Sequence, residues 1–333
     1  MANTSSAIIS IYIYTGTSGS YQATDLRYTL SKKALPNEEN IVLEISELVK
    51  DYFDQHYNGE SFFSTLQWVT VLANVYDESD NLLAGSPISK TFLAFDGYGK
   101  HTELINPELS KGLLQSNTKM YVPSGENVYV PVFAEDTPTI SFYGGSGAFI
   151  SNVTVSDSGN SAQKIQYINA PVGTEKIVYN GTNTGVTNLD VEIIDECLYT
   201  PKKVVFLNKF GCWQQIFFLK KSTSNITYQE QKYKRNTVSI NTKSYEITKP
   251  TDVRFNVIAN ESLILNTGFV DEEFNDVIED LLMSEKVYVL HNDFTVPVIP
   301  KTKSFEVKTR INNKLINHLI EFEMANTVQN LIR

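Results

Sequence analysis

The chain has 333 residues, a formal net charge of −10 at pH 7, 41% hydrophobic residues and 20% charged residues. This composition is that of a folded protein, not a disordered one, and the negative charge argues against a general affinity for nucleic acid. No apolar run reaches the ~20 residues of a membrane span, and residues 1–6 lack the features of a secretory signal. We therefore expect a protein made in a cytoplasm and not bound to membranes.

The first predicted domain covers residues 1–96. Ile9, Ile11 and Ile13 recur at period two, which predicts a strand with one buried face. Ser46 is a suitable N-cap for a helix whose apolar stripe runs on to His56. These elements, with further strands at 41–45, 66–76 and 88–95, predict a β-sandwich-like domain that carries one helix.

A loop or linker is predicted at 97–119, where Gly, Asn and Pro interrupt the chain. Residues 120–198 form the second predicted domain, an all-β module. Its short β-rich runs are separated by turn signals such as Gly144–Gly147 at intervals of ~8–12 residues.

The last predicted domain covers residues 199–333. Apolar runs at 204–207 and 213–219 flank a turn at 208–211, which predicts a hairpin with Gly211 at a positive φ. The clearest helix is predicted over 271–285, where apolar residues form one stripe behind an acidic first turn. Further strands are predicted at 236–240, 243–247, 252–259, 262–266, 287–290, 295–299, 304–309 and 315–323.

The fold class predicted is thus mainly β: two β-sandwich- or barrel-like modules, followed by a β-rich α+β C-terminal domain with one clear amphipathic helix. Phe274, Leu281 and Trp213 are expected to be buried anchors of these cores.

Residues suited to catalysis or metal binding are few and scattered. The four histidines, His56, His101, His291 and His318, show no metal-ligand spacing. Residues 144–147 resemble a phosphate-binding loop only in their glycines, because no Lys-Ser/Thr pair or helix follows. Asp77, Asp80 and Asn81 could offer oxygens to calcium but lack the Gly and distal Glu of an EF-hand loop. We predict no catalytic, cofactor or metal site, and no enzymatic activity.

Partner-binding residues are predicted in two places. Tyr98 lies in a Gly-rich loop and is the best candidate for an exposed aromatic anchor. Basic residues cluster in the last domain, where one positively charged face could meet an acidic partner subunit, or DNA passing through a channel. These residues are Lys220, Lys221, Lys232, Lys234 and Arg235. Whether Cys197 and Cys212 form a disulfide is left open, with two free thiols favoured.

A resemblance rests on several short motifs of the last 130 residues or so. These are VVFLNKFGCW at 204–213, YKRN at 233–236, NTGF at 266–269, LLMSE at 281–285, KT at 308–309 and EFE at 321–323. In their order they resemble virion structural proteins of tailed phages that infect Bacteroidetes and related marine bacteria. The resemblance implies a tail, neck, connector or baseplate component present in several copies, located in the virion, with other virion proteins as partners. It implies no catalytic residues.

Two other functions remain open. A receptor- or glycan-binding protein of the tail tip would present exposed aromatic side chains, and a glycan hydrolase would need two carboxylates in one cleft. The hypothesis from the sequence is a non-enzymatic virion component that assembles as a homo-oligomeric ring through its β modules.

Overall fold

A computed structural model of the chain describes residues 4–35, 40–99, 112–157, 159, 161–245, 247–291, 293–302, 304 and 315–329. The fold is mainly β, with 51% strand and 7% helix, which confirms the fold class predicted from the sequence. Most strands pair antiparallel, and the described strands form no closed barrel.

The chain divides into two compact units. Unit 1 comprises Met1–Ile194 and Leu207–Gln215, and unit 2 comprises Asp195–Phe206 and Ile216–Arg333. Unit 1 therefore takes in almost all of both segments, 1–96 and 120–198, for which the sequence predicts separate modules. The finer division, with boundaries at 96, 119 and 198, stays a prediction.

Unit 1 contains one short α-helix, α1 (Ser46–Lys50), and most of the strands. Those strands are β1 (Ser6–Tyr14), β2 (Leu26–Lys33), β3 (Gln55–Tyr57), β4 (Phe62–Ser64), β5 (Gln67–Tyr76), β6 (Ile88–Ala94), β7 (Lys119–Pro123), β8 (Val128–Phe133), β9 (Thr139–Tyr143), β10 (Phe149–Thr154), β11 (Ile165–Ala170), β12 (Lys176–Gly181) and β13 (Gly185–Ile194).

A four-stranded antiparallel sheet, in the order β2-β1-β5-β6, holds the beginning of unit 1. Ile9, Ile11 and Ile13 are buried on one of its faces, as the alternation predicts, and they form a core cluster with Val49 and Val69. Partly buried residues of the segment before and within α1 pack on the same cluster. The side chains of the alternate residues in each strand point to the opposite face of the sheet.

The helix predicted to run from Ser46 to His56 is wrong beyond α1, which ends at Lys50. His56 lies in β3, where it pairs with Phe63 of β4. This small hairpin is stabilised by the parallel rings of Tyr57 and Phe62, whose centroids are 4.9 Å apart. Tertiary pairing therefore outweighs the weak local preference for helix.

The rest of unit 1 contains a five-stranded sheet, in the order β10-β9-β12-β13-β7, and a separate pair, β11-β8. Only β13 and β7 pair parallel within the five-stranded sheet, while its other pairs are antiparallel. The core between these strands includes the fully buried rings of Phe142 and Tyr179.

The linker predicted at 97–119 lies in part, at 100–111, outside the described residues. Its described end is packed and not a solvent loop. Leu113 makes a β-bridge to Val132, and Leu114 is fully buried in a cluster with Phe133 and Cys212.

Unit 2 contains the helix α2 (Phe274–Met283) and most of the remaining strands. In chain order these are β14 (Lys202–Leu207), β15 (Trp213–Phe218), β16 (Thr223–Lys234), β17 (Asp252–Asn266), β18 (Val270–Asp271), β19 (Val287–His291), β20 (Phe294–Pro300), β21 (Leu315–Ile316), β22 (Leu319–Met324) and β23 (Val328–Gln329). The turn between β14 and β15, at Leu207–Gln215, belongs to unit 1.

The main sheet of unit 2 follows the order β15-β14-β19-β20-β22-β17-β16, with β23 also pairing with β17. The predicted hairpin at 204–219 is confirmed as β14 and β15, and Gly211 has a φ of +70° as expected. Helix α2 falls within the predicted range 271–285. Phe274, Leu281 and Trp213 are 4%, 0% and 1% exposed, so all three predicted anchors are buried.

The sequence does not predict β16, and it divides the neighbouring elements differently from the structure. The strands predicted at 252–259 and 262–266 are one strand, β17, which pairs with β16 along its length. The strands predicted at 236–240 and 243–247 form the end of this hairpin and are joined by a single β-bridge, Val238 to Tyr245. The predicted strand at 304–309 lies outside the described residues apart from Ser304.

Candidate functional site

The hairpin of β16 and β17 extends beyond the rest of its sheet. Strand β22 pairs only with Ser262–Asn266 of β17, and β23 pairs only with Ile258 and Ala259. In the part of the chain that the structure describes, residues 230–257, which we call the arm, therefore lie beyond the last pairing of β17 with a strand other than β16. All twelve residues of β16 are exposed, and β16 is the last strand in the sheet order. Such an edge offers unpaired backbone groups to another chain.

The end of the arm carries an apolar face. Val238, Ile240, Tyr245 and Ile247 are 41%, 91%, 78% and 98% exposed. They alternate with polar residues in both limbs of the hairpin. Val238 and Tyr245 are joined by a β-bridge and lie on the same side, while Ile240 and Ile247 lie in turns two residues further along the chain. A backbone hydrogen bond of 3.0 Å from Ser239 N–H to the Ser244 carbonyl oxygen holds the limbs together. An exposed cluster of this kind is typical of an interaction site.

The arm is positively charged in an otherwise acidic chain. It contains six Lys or Arg residues and three Asp or Glu residues, a net charge of +3, so the rest of the chain carries −13. Part of this charge is balanced internally, because Glu230 accepts from Lys232 at 2.8 Å and also pairs with Arg254. The hydrogen bond from Lys232 is the largest cause of the lowered pKa of Glu230; with the charges of Arg254 and Lys232 it outweighs burial, which alone would raise the pKa.

The basic residues predicted as one interface do not form a single patch. Lys220 and Lys221 precede β16, while Lys232 and Lys234 lie near its far end and Arg235 follows directly. At ~3.3 Å per residue, the two groups are separated by about 36 Å along the strand. Lys232, Lys234 and Arg235 are exposed and belong to the arm, and Lys221 is exposed before β16; the role of these four in partner binding stays a prediction.

Lys220 has a partner within unit 2. Its ammonium group pairs with Glu196, whose side chain is only 6% exposed. The hydrogen bond from Lys220 and that from the Leu198 N–H lower the pKa of Glu196. The aliphatic part of Lys220 also lies against Gly268, where an added Cβ would come within 3.1 Å of it. Lys220 thus stabilises unit 2, and its role in an interface stays a prediction.

Tyr98, predicted as an exposed anchor, is half-buried. Its N–H donates a 2.9 Å hydrogen bond to the carbonyl oxygen of Lys209. The preceding Gly97 approaches the same carbonyl so closely that a Cβ there would lie 2.4 Å from the oxygen. Tyr98 is therefore held against the β14–β15 turn, and its role in partner binding stays a prediction.

One group of acids in unit 1 has the spacing of a metal site. Oxygens of Glu135, Asp136 and Asp157 lie within 4.8 Å of one another. The ammonium group of Lys164 already lies there, 2.9 Å from Glu135 and 2.5 Å from Asp157, and its side chain is 4% exposed. Lysine thus supplies the positive charge that a cation would bring, so the arrangement is an internal ion-pair network.

Other groups weighed in the sequence also have structural roles. Asp77 accepts hydrogen bonds from the N–H groups of Ser79 and Asn81 at 2.8 and 2.9 Å. The Asn81 bond is the largest cause of the lowered pKa of Asp77. The carboxylate therefore closes its own turn. Residues Gly145–Gly147 form a short 3₁₀ turn between β9 and β10, in agreement with the turn expected there. His101 lies outside the described residues.

Both cysteines are free. Cys197 is exposed, and Cys212 is fully buried beside Leu114 and Phe133. Burial raises the pKa of the Cys212 thiol, which makes it a packing residue and not a nucleophile.

A shallow apolar groove lies on the surface of unit 1. Its enclosed volume is only about 20 Å³, far below that of a small-molecule site. Val122, Val128 and Val191 form its buried floor, while Val172 and Ile193 are 60% and 36% exposed. Glu126 is its one acidic lining residue and is exposed. We call this feature the groove.

The comparisons with known proteins leave the function open. No family model and no curated protein matches the chain. Among solved structures, a chain described as "Biofilm associated protein - BSP domain" is similar over 78% of this chain, with 9% identity and a TM-score of 0.20. The similarity spans 57% of that chain. No described helix is both long enough and apolar enough to cross a lipid bilayer.

Proposed function

We propose that the chain is a non-enzymatic structural subunit of a tailed-phage virion, present in several copies in its tail, neck or baseplate. The observation that carries this proposal is the arm, a hairpin that leaves its sheet with an exposed apolar cluster and with β16 as the edge strand among the described residues. Ile240 and Ile247 are almost completely exposed. The chain gains the free energy of burying them only if another molecule covers them. Assembly with other subunits supplies that cover.

The charge distribution supports the same proposal. A positive arm on an acidic chain favours approach to an acidic protein surface and disfavours approach between two arms. The charged groups inside each unit are instead occupied by internal pairs, such as Lys164 with Asp157 and Lys220 with Glu196. The resemblance of the motifs at 204–213 and 321–323 to virion proteins adds the tailed-phage context.

The experiment that tests the role is to purify the phage particles and to determine their structure by cryo-electron microscopy, with mass spectrometry of their proteins. We expect density for several symmetry-related copies of this chain, with the arm of each copy in contact with a neighbour. Particles that infect normally and lack the chain would refute the proposal.

A second experiment uses the purified chain. The variant replaces the arm by an Asn-Gly turn that joins Gln229 to Ile258, two residues that already pair across the hairpin. We expect the intact chain to self-associate with rising concentration and the shortened chain to remain a monomer in sedimentation velocity experiments. If the two chains sediment identically, the arm is not required for self-association.

A second candidate function is glycan binding, which one observation favours. On the face of the β2-β1-β5-β6 sheet opposite the core, the rings of Tyr12 and Tyr21 lie 4.3 Å apart, both half-buried. The strands β1 and β5 carry no charged residue, and aromatic rings with neutral polar neighbours suit a sugar. Retention on immobilised neutral polysaccharide, lost in Tyr12→Ala and kept in Tyr12→Phe, would support this function over assembly alone.

A further inference from the structure

We infer that the end of the arm binds in the groove of a second copy of the same chain. This inference rests on the proposed function, because it names the partner and the site of the assembly contact. It follows from two features of the molecule that were described independently: an uncovered apolar side of a hairpin in unit 2, and an open apolar groove on unit 1.

The two surfaces match in chemistry. The arm contributes aliphatic side chains, Ile240 and Ile247, which are 91% and 98% exposed. The groove offers a floor of valines under the exposed side chains of Val172 and Ile193. With an enclosed volume of only about 20 Å³, the groove is too shallow for a small-molecule substrate and suits the end of one aliphatic side chain.

The charges also match. Lys234 and Arg235 lie at the base of the apolar tip, and Lys243 lies in the turn at its end. The groove carries Glu126 at its rim, on a chain whose net charge outside the arm is −13. A second copy of this chain therefore offers both an apolar surface to cover the isoleucines and a negative charge to face the basic residues of the arm. Duplex DNA would complement the charge of the arm but leave its isoleucines uncovered.

The walls of the groove are held by the fold, so the site exists before a partner arrives. Strands β7 and β13 pair in parallel from Lys119 to Pro123. The Ser124 N–H donates to the Ile194 carbonyl oxygen at 3.0 Å, and the Thr174 hydroxyl donates to the Pro171 carbonyl oxygen at 2.7 Å. Because arm and groove are different surfaces, two copies can exchange arms in a closed dimer, or successive copies can join head to tail into a ring or a filament.

Cysteine crosslinking of the full-length chain tests the contact directly. In a Cys197→Ser background, which leaves only the buried Cys212, the test chain carries Ile247→Cys and Val172→Cys. The matched control carries Ile247→Cys and Phe149→Cys, because Phe149 is 59% exposed and lies on β10, at the opposite edge of the same sheet from β7. All substituted positions are exposed, so the fold is preserved, and circular dichroism verifies this.

Under mild oxidation we expect disulfide-linked dimers and higher multimers of the test chain, and at least tenfold fewer of the control. Ile247→Ser alone should weaken self-association about tenfold in sedimentation equilibrium. Equal crosslinking of test and control, in a chain that still self-associates, would overturn the arm-in-groove contact and leave the assembly role standing.

A chain that stays monomeric at all concentrations and forms no crosslink would overturn both the contact and the assembly role. Tight binding of the arm to a duplex DNA probe that Lys234→Glu abolishes, in a chain whose self-association is unchanged by Ile247→Ser, would assign the arm to nucleic acid and overturn the contact.

Discussion

The side-chain amide of Asn208 donates a 2.7 Å hydrogen bond to the carbonyl oxygen of Leu114, so the β14–β15 turn is tied to a segment 94 residues earlier in the chain. The same amide donates to Gln214 at 3.0 Å, and its carbonyl oxygen accepts from the N–H groups of Phe210 and Cys212. Asn208 is 2% exposed. One buried side chain therefore organises the turn and joins it to the core of unit 1.

Replacing Asn208 by Ala should destabilise unit 1 by about 2–4 kcal/mol, because four hydrogen bonds are lost and their buried partners stay unpaired. Trp68 and Trp213 both belong to unit 1, so tryptophan fluorescence during urea denaturation reports its unfolding. The control is Asn152→Ala, an exposed strand position where the change should stay within about 0.5 kcal/mol. Equal midpoints for the two variants would contradict the role of Asn208.

Replacing Leu281 by Ala should lower the free energy of unfolding by about 2–5 kcal/mol. Its side chain lies on the buried face of α2 and is fully buried, so the truncation leaves a cavity. Met283, in the same helix, is 54% exposed, and Met283→Ala should have little effect. Differential scanning calorimetry of the two variants measures the difference. An unchanged melting temperature for Leu281→Ala would show that the helix does not pack as described.

The ion pairs of Lys164 should make the stability of unit 1 depend on pH at both extremes. Burial alone would raise the pKa of Asp157, but hydrogen bonds from Lys164 and from the N–H groups of Asp136 and Gly159 outweigh it, and the pKa is lowered. Burial alone would lower the pKa of Lys164, but its bonds to Asp157 and Glu135 raise it.

The carboxylate contribution is therefore present above the unfolded pKa of about 3.9 and is lost as the pH falls through the lower folded value. The lysine contribution is present below about 10.4 and is lost as the pH rises through the higher folded value. At pH 7, Lys164→Met should cost about 3 kcal/mol, since it leaves two carboxylates unpaired.

Urea denaturation across pH tests this, with Lys176→Met, an exposed lysine on β12, as the control. The difference between Lys164→Met and the parent chain should shrink toward acid pH, where Asp157 is protonated in both. A difference that is constant from pH 7 to pH 3 would rule out an electrostatic origin.

Only one of the two thiols should react in the folded chain. Cys197 is exposed, whereas Cys212 is 0% exposed and burial raises its pKa, so it offers no accessible thiolate. A chromogenic disulfide reagent should titrate one thiol per chain under native conditions and two in guanidinium. The Cys197→Ser variant should show none until it is unfolded. Rapid reaction of that variant when folded would contradict the packing of Cys212.

The parts of the fold that could be predicted are those in which local pattern and tertiary structure agree. The stripe through Phe274 and Leu281 is both helical in period and buried, and Gly211 combines a turn sequence with a positive φ. The helix expected beyond Lys50 failed because His56 and Phe63 pair as strands of a short local hairpin, and the helical periodicity of the segment does not reveal that pairing.

The candidate site could be predicted only in part. Val238, Ile240, Tyr245 and Ile247 alternate as in a half-buried strand, so the pattern indicates an apolar face. What it cannot give is that none of the described elements covers these residues, because the place of β16 at the end of the sheet depends on the order of the described strands. Lys232, Lys234 and Arg235 were identified as basic, but their distance from Lys220 needed the length of β16.

The pairing of Gln229 with Ile258 marks a natural junction between the body of unit 2 and the arm. On the distal side each limb pairs, among the described residues, only with the other, so residues can be inserted or deleted there two at a time without shifting the register of β17 against β22. The length and sequence of the arm could therefore differ between related chains while the rest of unit 2 stays the same. Changes in the arm would then alter which partner is bound without altering the stability of the subunit.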